Sequence, residues 1–395
     1  MTFIRKAKNS AHLLLAFGAN AMYAFPSRGM TIVGVTGTDG KTTTSNLLYH
    51  ILKTAGKKAA VISTLGAVID GKQYETGFHV TTPSPFAVQK YLKMAKKHGC
   101  EFVVLEVTSH ALDQNRVWGI PFDVGILTNI THEHLDYHKS YERYVKTKLK
   151  LFKKTRLAVV NSNGSWFSEV KKIVTQNNLI SYSLHGANKN DVTILNLPFQ
   201  IKTKLLGDFN LENILAASAA AMSFHIDPEV IDKAVSSFEA PIGRQEIIKN
   251  SLGITIVVDF AHTANSFENI LPALRKQTRG RLIHVFGCAG ERDHKKRPEM
   301  GKAASFYDDV IILTAEDPRS ESPSEINKSI RSGIEENKEV IEIIDRGEAI
   351  SYALSIAEKG DTVVVTGKGH ELSMNLGNGE MPWSDQEEVR KFLKK

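Results

Sequence analysis

The stretch "GVTGTDGKTTT", Gly34 to Thr44, sets Gly37, Thr38, Asp39, Gly40, Lys41, Thr42 and Thr43 between an apolar, β-branched run (Thr31, Ile32, Val33, Val35) and the helical pattern "KTTTSNLLYHILKTAG". Glycines there allow close backbone approach, N–H groups at a helix start meet phosphate oxygens, Lys41 neutralises charge, and the Thr42 hydroxyl suits Mg²⁺. The strict phosphate-loop pattern asks for glycine where Val35 stands. The reading as a nucleotide loop therefore rests on the strand-to-helix context together with Lys-Thr. Further on, Glu106 ends the apolar run of "LEVTSHALDQNRV", and His134 follows that of "TNITHEHLDYH". A carboxylate at a buried strand end is costly unless paired or bound to a cation. Oxygen and imidazole ligands beside a nucleotide fit Mg²⁺ or Mn²⁺. The cluster His132, Glu133, His134, Asp136 and His138 leaves two other readings open, a zinc site and a solvated polar loop, although its spacing is not the helical His-x-x-x-His of a zinc protease.

The elements that must position these residues are apolar runs ending in small or polar residues and alternating with helical patterns: "KAAVIST", "FVVLEVTS", "VGILTNI" and "LAVVNSN". Parallel strands buried on both faces read this way, and their carboxyl ends carry the functional loops. A second series follows in "GITIVVDFAHT", "RLIHVFGCAGERD", "DVIILTAEDPR" and "DTVVVTGKGHE". Between the two series lie an alanine-rich helix in "LLGDFNLENILAASAAAMSF" and the segment "SSFEAPIGRQE", punctuated by Pro241 and Gly243. The expectation is two α/β domains with a boundary near Ala240 and strand ends facing each other across a cleft.

A chain of 395 residues exceeds one comfortable core. With 42% hydrophobic and 24% charged residues, its composition is that of an ordinary soluble protein. The formal charge of +7 is scattered in short clusters such as "KKTR" and "HKKRP", which suits small anionic substrates, and no nucleic-acid partner is expected. Cys100 and Cys288, the only cysteines, are too few for a disulfide framework and point to a reducing cytoplasm, with both thiols buried. "AHLLLAFGANAMYAF" follows Arg5, Lys6 and Lys8 and so mimics a signal peptide, but Gly18 and Asn20 interrupt it. It falls short of the ~20 residues that span a bilayer. A helix packed on the first domain is the expectation, with a peripheral membrane contact and a cleaved signal left open.

Other stretches are bland taken singly. "YVKTKLKLF" reads as an amphipathic basic helix with solvated lysines, and "GDFNLENILAA" as a turn with Asn213 entering a helix. The second series, by contrast, places charged loops together at its strand ends: "GRQE", "VDFAHT", "GERDHKKRP", "EDPRSE" and "GKGHE". These motifs, with the loop at Gly34–Thr44, "TTPSP" and "TKLKLF", occur in the order found in Mur ligases. Over about residues 30 to 390 the sequence resembles that family, most nearly its UDP-N-acetylmuramoyl-dipeptide (MurE-type) ligases, which add the third peptide residue.

The resemblance implies an α/β fold: a helical segment at 1–30, a central P-loop ATPase domain with a mostly parallel sheet at 31–240, and a C-terminal Rossmann-like α/β domain at 241–395. It also implies ATP-dependent amide synthesis through an acyl phosphate. By resemblance Lys41 holds the γ-phosphate, Thr42 and Glu106 one Mg²⁺, and His134 a second, while Lys148 matches the lysine that is carbamylated beside the metal. Asn213, Arg244 and Asp259 match nucleotide contacts. Thr81, Thr82, Thr108, Gln114 and Arg116 match positions for the muramoyl-dipeptide acceptor, and Arg292, Asp317, Arg319, Gly367 and Glu371 match the meso-diaminopimelate pocket. The partners implied are small molecules and the implied state is a cytoplasmic monomer. Family members usually carry an extra domain before the loop, and the expectation here is a chain lacking it. The family's Asp-Asn-Pro-Arg appears as Glu316-Asp317-Pro318-Arg319, Asp39 stands where Asn is common, and Glu133 stands where Asp is usual. Two other readings stay open: a Mur-like ligase with another acceptor (lipid-linked, pseudomurein-type, folate or polyamide), and a nucleotide-dependent binding protein.

Overall fold

The computed structural model describes residues 3–76, 81–131, 133–186, 188 and 191–394. The chain divides into two compact units: 1–204 with 208–239, and 205–207 with 240–395.

The first unit is built on the strands β1 (Thr31–Thr36), β2 (Ala59–Ser63), β3 (Gly66–Ile69), β4 (Lys72–Tyr74), β5 (Phe102–Glu106), β6 (Val124–Leu127), β7 (Leu157–Asn161) and β8 (Leu179–Tyr182). They form one sheet in the order β4-β3-β2-β5-β1-β6-β7-β8, in which β3 runs antiparallel to both its neighbours and the other pairings are parallel. The apolar runs read from sequence are the interior strands β2, β5, β1, β6 and β7, whose residues are buried almost throughout. β3 and the edges β4 and β8 are not evident in that pattern, because short or half-exposed strands lack a continuous apolar run. The helices are α1 (Phe3–Met22), α2 (Lys41–Thr54), α3 (Pro85–Lys97), α4 (Ser109–Asp113), α5 (Leu135–His138), α6 (Tyr141–Lys148), α7 (Phe167–Lys171), α8 (Asp208–Ser223) and α9 (Pro228–Ser237). α1 turns Ala16, Ala19 and Asn20 inward, and Asn20 Nδ2 donates to Trp118 O at 2.8 Å. α3 is set by Ser84, whose side chain caps it, and by proline in its first turn.

The second unit has β9 (Glu246–Ile247), β10 (Thr255–Asp259), β11 (Leu282–Phe286), β12 (Val310–Leu313), β13 (Glu339–Glu342) and β14 (Thr362–Thr366), in the order β13-β12-β11-β14-β10-β9. Only β9 is antiparallel, and a separate hairpin pairs β15 (Ser373–Asn375) with β16 (Glu380–Pro382). Its helices are α10 (Ala264–Gln277), α11 (Lys296–Tyr307), α12 (Pro323–Arg331), α13 (Arg346–Ile356) and α14 (Asp385–Leu393). Apolar side chains on the two faces of the sheet form two separate cores. Cys100 and Cys288 are both buried thiols.

One buried ion pair joins α13 to α14. Arg346 Nε and Nη2 reach the two oxygens of Asp385 at 2.7 and 2.8 Å, with both side chains fully buried. Nη2 also donates to Thr366 O at 2.8 Å, and Trp383 Nε1 donates to Asp385 at 2.9 Å. Removing one partner leaves an uncompensated buried charge, so Arg346→Ala should cost roughly 3–5 kcal/mol of stability. The double change Arg346→Met with Asp385→Leu should cost less than the single one. Urea unfolding of the three proteins checks this, and a cost under about 1 kcal/mol for Arg346→Ala would show that the pair is dispensable.

Candidate active site

The stretch expected to bind nucleotide is the turn from β1 into α2. Gly40, the residue preceding α2, has φ 79°, in the left-handed region that favours glycine, and a Cβ there would collide with the Asn213 side chain. A Cβ on Gly37 would collide with the Thr128 hydroxyl. The loop is tied to the chain leaving β6: Thr38 N donates to Asn129 O (2.9 Å), Asp39 N to Asn129 Oδ1 (2.8 Å), Thr128 Oγ1 to Asp39 O (2.6 Å) and Thr131 N to Thr38 Oγ1 (2.9 Å). Lys41 Nζ donates to Thr38 O at 2.8 Å, and Thr42 and Thr43 are buried at the start of α2. The first-turn N–H groups of a helix have no intrahelical acceptor, so this loop can receive phosphate oxygens.

Glu106 ends β5 beside β1, with Val35 as its register partner. Its carboxylate is buried and accepts from Thr42 Oγ1 (3.1 Å to either oxygen), Thr64 N (3.0 Å) and Thr64 Oγ1 (3.1 Å), all neutral donors. A carboxylate facing hydroxyls supplies the hard oxygen donors that Mg²⁺ takes beside phosphate oxygens and water, so these residues fit that ion. His134 adopts φ 55°, uncommon for a non-glycine residue. Its ring centroid lies 5.1 Å from that of His110 and 6.1 Å from that of Tyr144, and its Nε2 is 3.7 Å from Glu133. Of the zinc reading, His132 and the Asp136 side chain lie outside the described residues. His138 is buried, with Nε2 3.0 Å from Ser109 Oγ. Burial and the neighbouring His110 push its pKa down to about 4, which keeps the imidazole neutral at pH 7.

Lys148 overturns the reading of solvated lysines along α6. It is 1% exposed, its Nζ donates to Gly37 O at 2.5 Å, and it sits 4.6 Å from the centre of the Tyr144 ring. Tyr144 OH in turn shares a 3.1 Å hydrogen bond with Thr38 Oγ1. Positions i and i+4 share a helix face, so α6 turns Tyr144 and Lys148 together toward the loop. The helix then tightens into a 3₁₀ turn over Leu149–Lys154, which buries Leu149, Leu151 and Phe152. Burial, reinforced by Lys41, holds Lys148 well below the ordinary ammonium range, with Glu133 and Asp39 pulling the other way.

Next to Glu106 the structure gathers the five positions matched to the acceptor. Thr81 Oγ1 lies 3.1 Å from Thr64 Oγ1, and Thr82 Oγ1 donates to Glu106 O at 3.0 Å and accepts from Thr108 N at 2.9 Å. Arg116 donates to Thr82 O at 2.7 Å and to Gln114 Oε1 at 2.9 and 2.7 Å. Asn213 is not at the start of its helix: α8 begins at Asp208, and Asn213 is buried one turn in, accepting from Thr44 Oγ1 at 3.1 Å.

In the second unit the strand-end loops meet. The Arg244 guanidinium lies 4.6 Å above the Phe260 ring, and Asp259 accepts from Gln245 N (2.6 Å) and Ala261 N (2.7 Å). Arg319 Nη1 reaches Gly290 O at 3.3 Å, which places it beside the exposed Arg292 loop. Asp317 and Arg319 both hold positive φ, 41° and 55°. The fully buried Lys368 bridges two carboxylates, with Nζ 2.9 and 2.8 Å from the oxygens of Asp317 and 2.6 Å from Glu371. Burial alone would lower its pKa, but Glu371 and Asp317 outweigh that and raise it. The charge that Asp317 carries in place of the family's amide is thus met within the pocket. Sequence reasoning missed Thr64, Asn129, Tyr144 and Lys368. The i,i+4 spacing of Tyr144 to Lys148 was a usable signal, as was the position of Lys368 next to Gly367.

Glu316 presses against Gly367, where a Cβ would collide with its carboxylate. Burial raises its pKa from 4.5 to about 7, against the pull of Lys296, Arg346 and Lys368. A carboxyl raised on folding favours the native state below its unfolded pKa and loses that contribution as pH rises through the folded one. The gap corresponds to about 3 kcal/mol at about 1.36 kcal/mol per unit. Glu316→Gln cannot ionise, so its stability relative to the parent should improve by up to that amount between pH 5 and pH 8. Denaturant titrations at both pH values test this, and a pH-independent difference would contradict it.

Residues 35–221 match the Mur ligase middle domain family, and residues 243–369 match the family described as Mur ligase, glutamate ligase domain. The chain is 37% identical over 397 residues to the UDP-N-acetylmuramoyl-L-alanyl-D-glutamate–2,6-diaminopimelate ligase of Aquifex aeolicus, covering 96% of this chain and 80% of that protein. It is 35% identical over 407 residues to a ligase of the same description from Clostridium acetobutylicum, covering 98% and 83%. A solved structure of such a ligase superposes with a TM-score of 0.65 at 32% identity, over 93% of this chain and 79% of that one. With both domain families matched in order and such identity along nearly its whole length, the chain belongs to the Mur ligase family.

Proposed function

We propose that this chain is an ATP-dependent carboxylate–amine ligase that adds meso-diaminopimelate to a UDP-N-acetylmuramoyl-L-alanyl-D-glutamate-like acceptor, acting as a monomer in cytoplasmic peptidoglycan-precursor synthesis. The observation that carries this reading is Lys148: a lysine is sunk without exposure between the nucleotide loop and Tyr144, in a chain 37% identical to a 2,6-diaminopimelate ligase. A solvent-facing helix has no reason to bury an amine there.

In the proposed reaction an acceptor carboxylate oxygen attacks the γ-phosphorus of ATP and ADP leaves. The incoming amine then attacks the acyl phosphate carbon, phosphate leaves, and the amine proton is lost. Positioning and charge neutralisation lower the barrier. Lys41 and the N–H groups of α2 take the phosphates, and Asn213 packs against the loop at Gly40. Thr42, Glu106, His134 and a carbamylated Lys148 would hold Mg²⁺ or Mn²⁺, which supplies positive charge beside the phosphate oxygens. The lowered Lys148 pKa supports carbamylation, because the neutral amine is the form that adds to the carbon of CO₂, releasing a proton and leaving an anion. Thr81, Thr82, Thr108, Gln114 and Arg116 are assigned to the acceptor. Arg292, Asp317, Arg319, Gly367 and Glu371 are assigned to the amino acid, and the internal pairing of Asp317 with Lys368 supports an Arg319 still charged for a distal carboxylate.

The direct test combines the chain, ATP, Mg²⁺ and UDP-N-acetylmuramoyl-L-alanyl-D-glutamate with meso-diaminopimelate or lysine, reading ADP release and product mass. Product from lysine but not from the diacid would overturn the specificity. Lys148→Ala should lose turnover, keep most nucleotide binding, and stay inactive in excess bicarbonate; near-parental turnover would refute the carbamate assignment. Arg319→Ala should raise the KM for meso-diaminopimelate by roughly two orders of magnitude, at ~1.4 kcal/mol per tenfold, and narrow the preference over lysine. An unchanged KM would remove Arg319 from the pocket.

A further inference from the structure

From Leu13 to Met22, α1 presents to solvent a face without a single charge. Ala16, Ala19 and Asn20 point inward, while Leu13, Leu14, Leu15, Phe17 and Met22 are 38%, 72%, 51%, 52% and 67% exposed. A Cβ on Gly18, between them, would meet open space. At 100° per residue these side chains run continuously around the outer side of the helix, a contiguous apolar patch of the kind that marks an interaction surface.

The charges around the patch indicate its occupant. Residues 1–38 contain no Asp or Glu, and the first turns of α1 carry Arg5, Lys6 and Lys8. α3, which lies against α1, likewise has no acidic residue and carries Lys90, Lys93, Lys96 and Lys97. Cations also border the chain leaving α1: Arg28 lies 4.7 Å above the Phe25 ring, Lys93 Nζ is 5.9 Å from the Tyr23 ring, and Lys96 Nζ donates to Arg28 O at 2.9 Å. An apolar ridge bordered by cations and free of acids is complementary to a surface that offers acyl chains beneath a layer of phosphates. No helix among the described residues is long and apolar enough to cross a membrane, so the contact would be interfacial. We propose that the outer face of α1, with the α3 lysines, is a docking surface for an anionic lipid membrane, which α1 enters lying flat. This rests on charge and exposure alone and is independent of the ligase reading.

The test is flotation of the full chain with vesicles of three parts phosphatidylcholine to one part phosphatidylglycerol, against pure phosphatidylcholine. Binding should appear on the anionic vesicles, be at least tenfold weaker on the neutral ones, and fall with added salt. Leu14→Asp with Phe17→Asp should reduce it at least tenfold without lowering the melting temperature. Lys93→Glu with Lys96→Glu, which leaves α1 intact, should weaken it similarly and keeps the test open should the first variant unfold. Three results would overturn the proposal: no binding to anionic vesicles, binding indifferent to both pairs of substitutions, or a dimer in solution that Leu14→Asp dissolves, which would make a second copy the occupant.

Discussion

A lysine amine with no access to water sets the terms for the first unit. Lys148 must find partners inside the protein, and it finds the Gly37 carbonyl and the Tyr144 ring. The loop between β1 and α2 is held in the same assembly, because Tyr144 bonds Thr38, and Thr38 and Asp39 are held by the chain leaving β6. The loop, the end of β6 and α6 are thus one hydrogen-bonded assembly around one amine.

The second unit buries a lysine too, with the opposite electrostatic result. Lys368 lies between the carboxylates of Asp317 and Glu371, which raise its pKa, whereas Lys148 has a carbonyl and a ring for close neighbours and is driven down. A buried amine surrounded by carboxylates is a fixed cation that organises a pocket. One left in a dry site beside another lysine is pressed toward the neutral, nucleophilic form. Burial of the same residue type thereby ends in opposite shifts in the two units.

The departures from the family pattern are absorbed locally. Asp317 brings a charge where an amide is usual, but Lys368 and the Asn375 amide take up its oxygens. Glu316, fully buried against Gly367, is biased toward its neutral form and so adds little charge beside Asp317 below neutral pH. Asp39, in place of the commoner Asn, sits in a loop whose backbone is fixed by Asn129 and Thr128.

The sequence by itself determined the α/β class, the interior parallel strands, the glycine-bearing turn from β1 into α2 and the strand-end position of Glu106. Each of these is written in a local pattern: an unbroken apolar run, a glycine at a turn, a polar residue where a strand stops. It also fixed family membership through motifs that no single stretch would carry. Only the tertiary structure decided that β3, β4 and β9 complete the sheets through antiparallel pairings, that Asn213 lies inside α8, and that Lys148 is buried while its neighbour Lys150 remains half-exposed. Edge pairing and the burial of a polar side chain depend on what arrives from distant parts of the chain. Thr38 and Gly37, more than a hundred residues from Tyr144 and Lys148, are where those partners come from, and no periodicity within α6 encodes them.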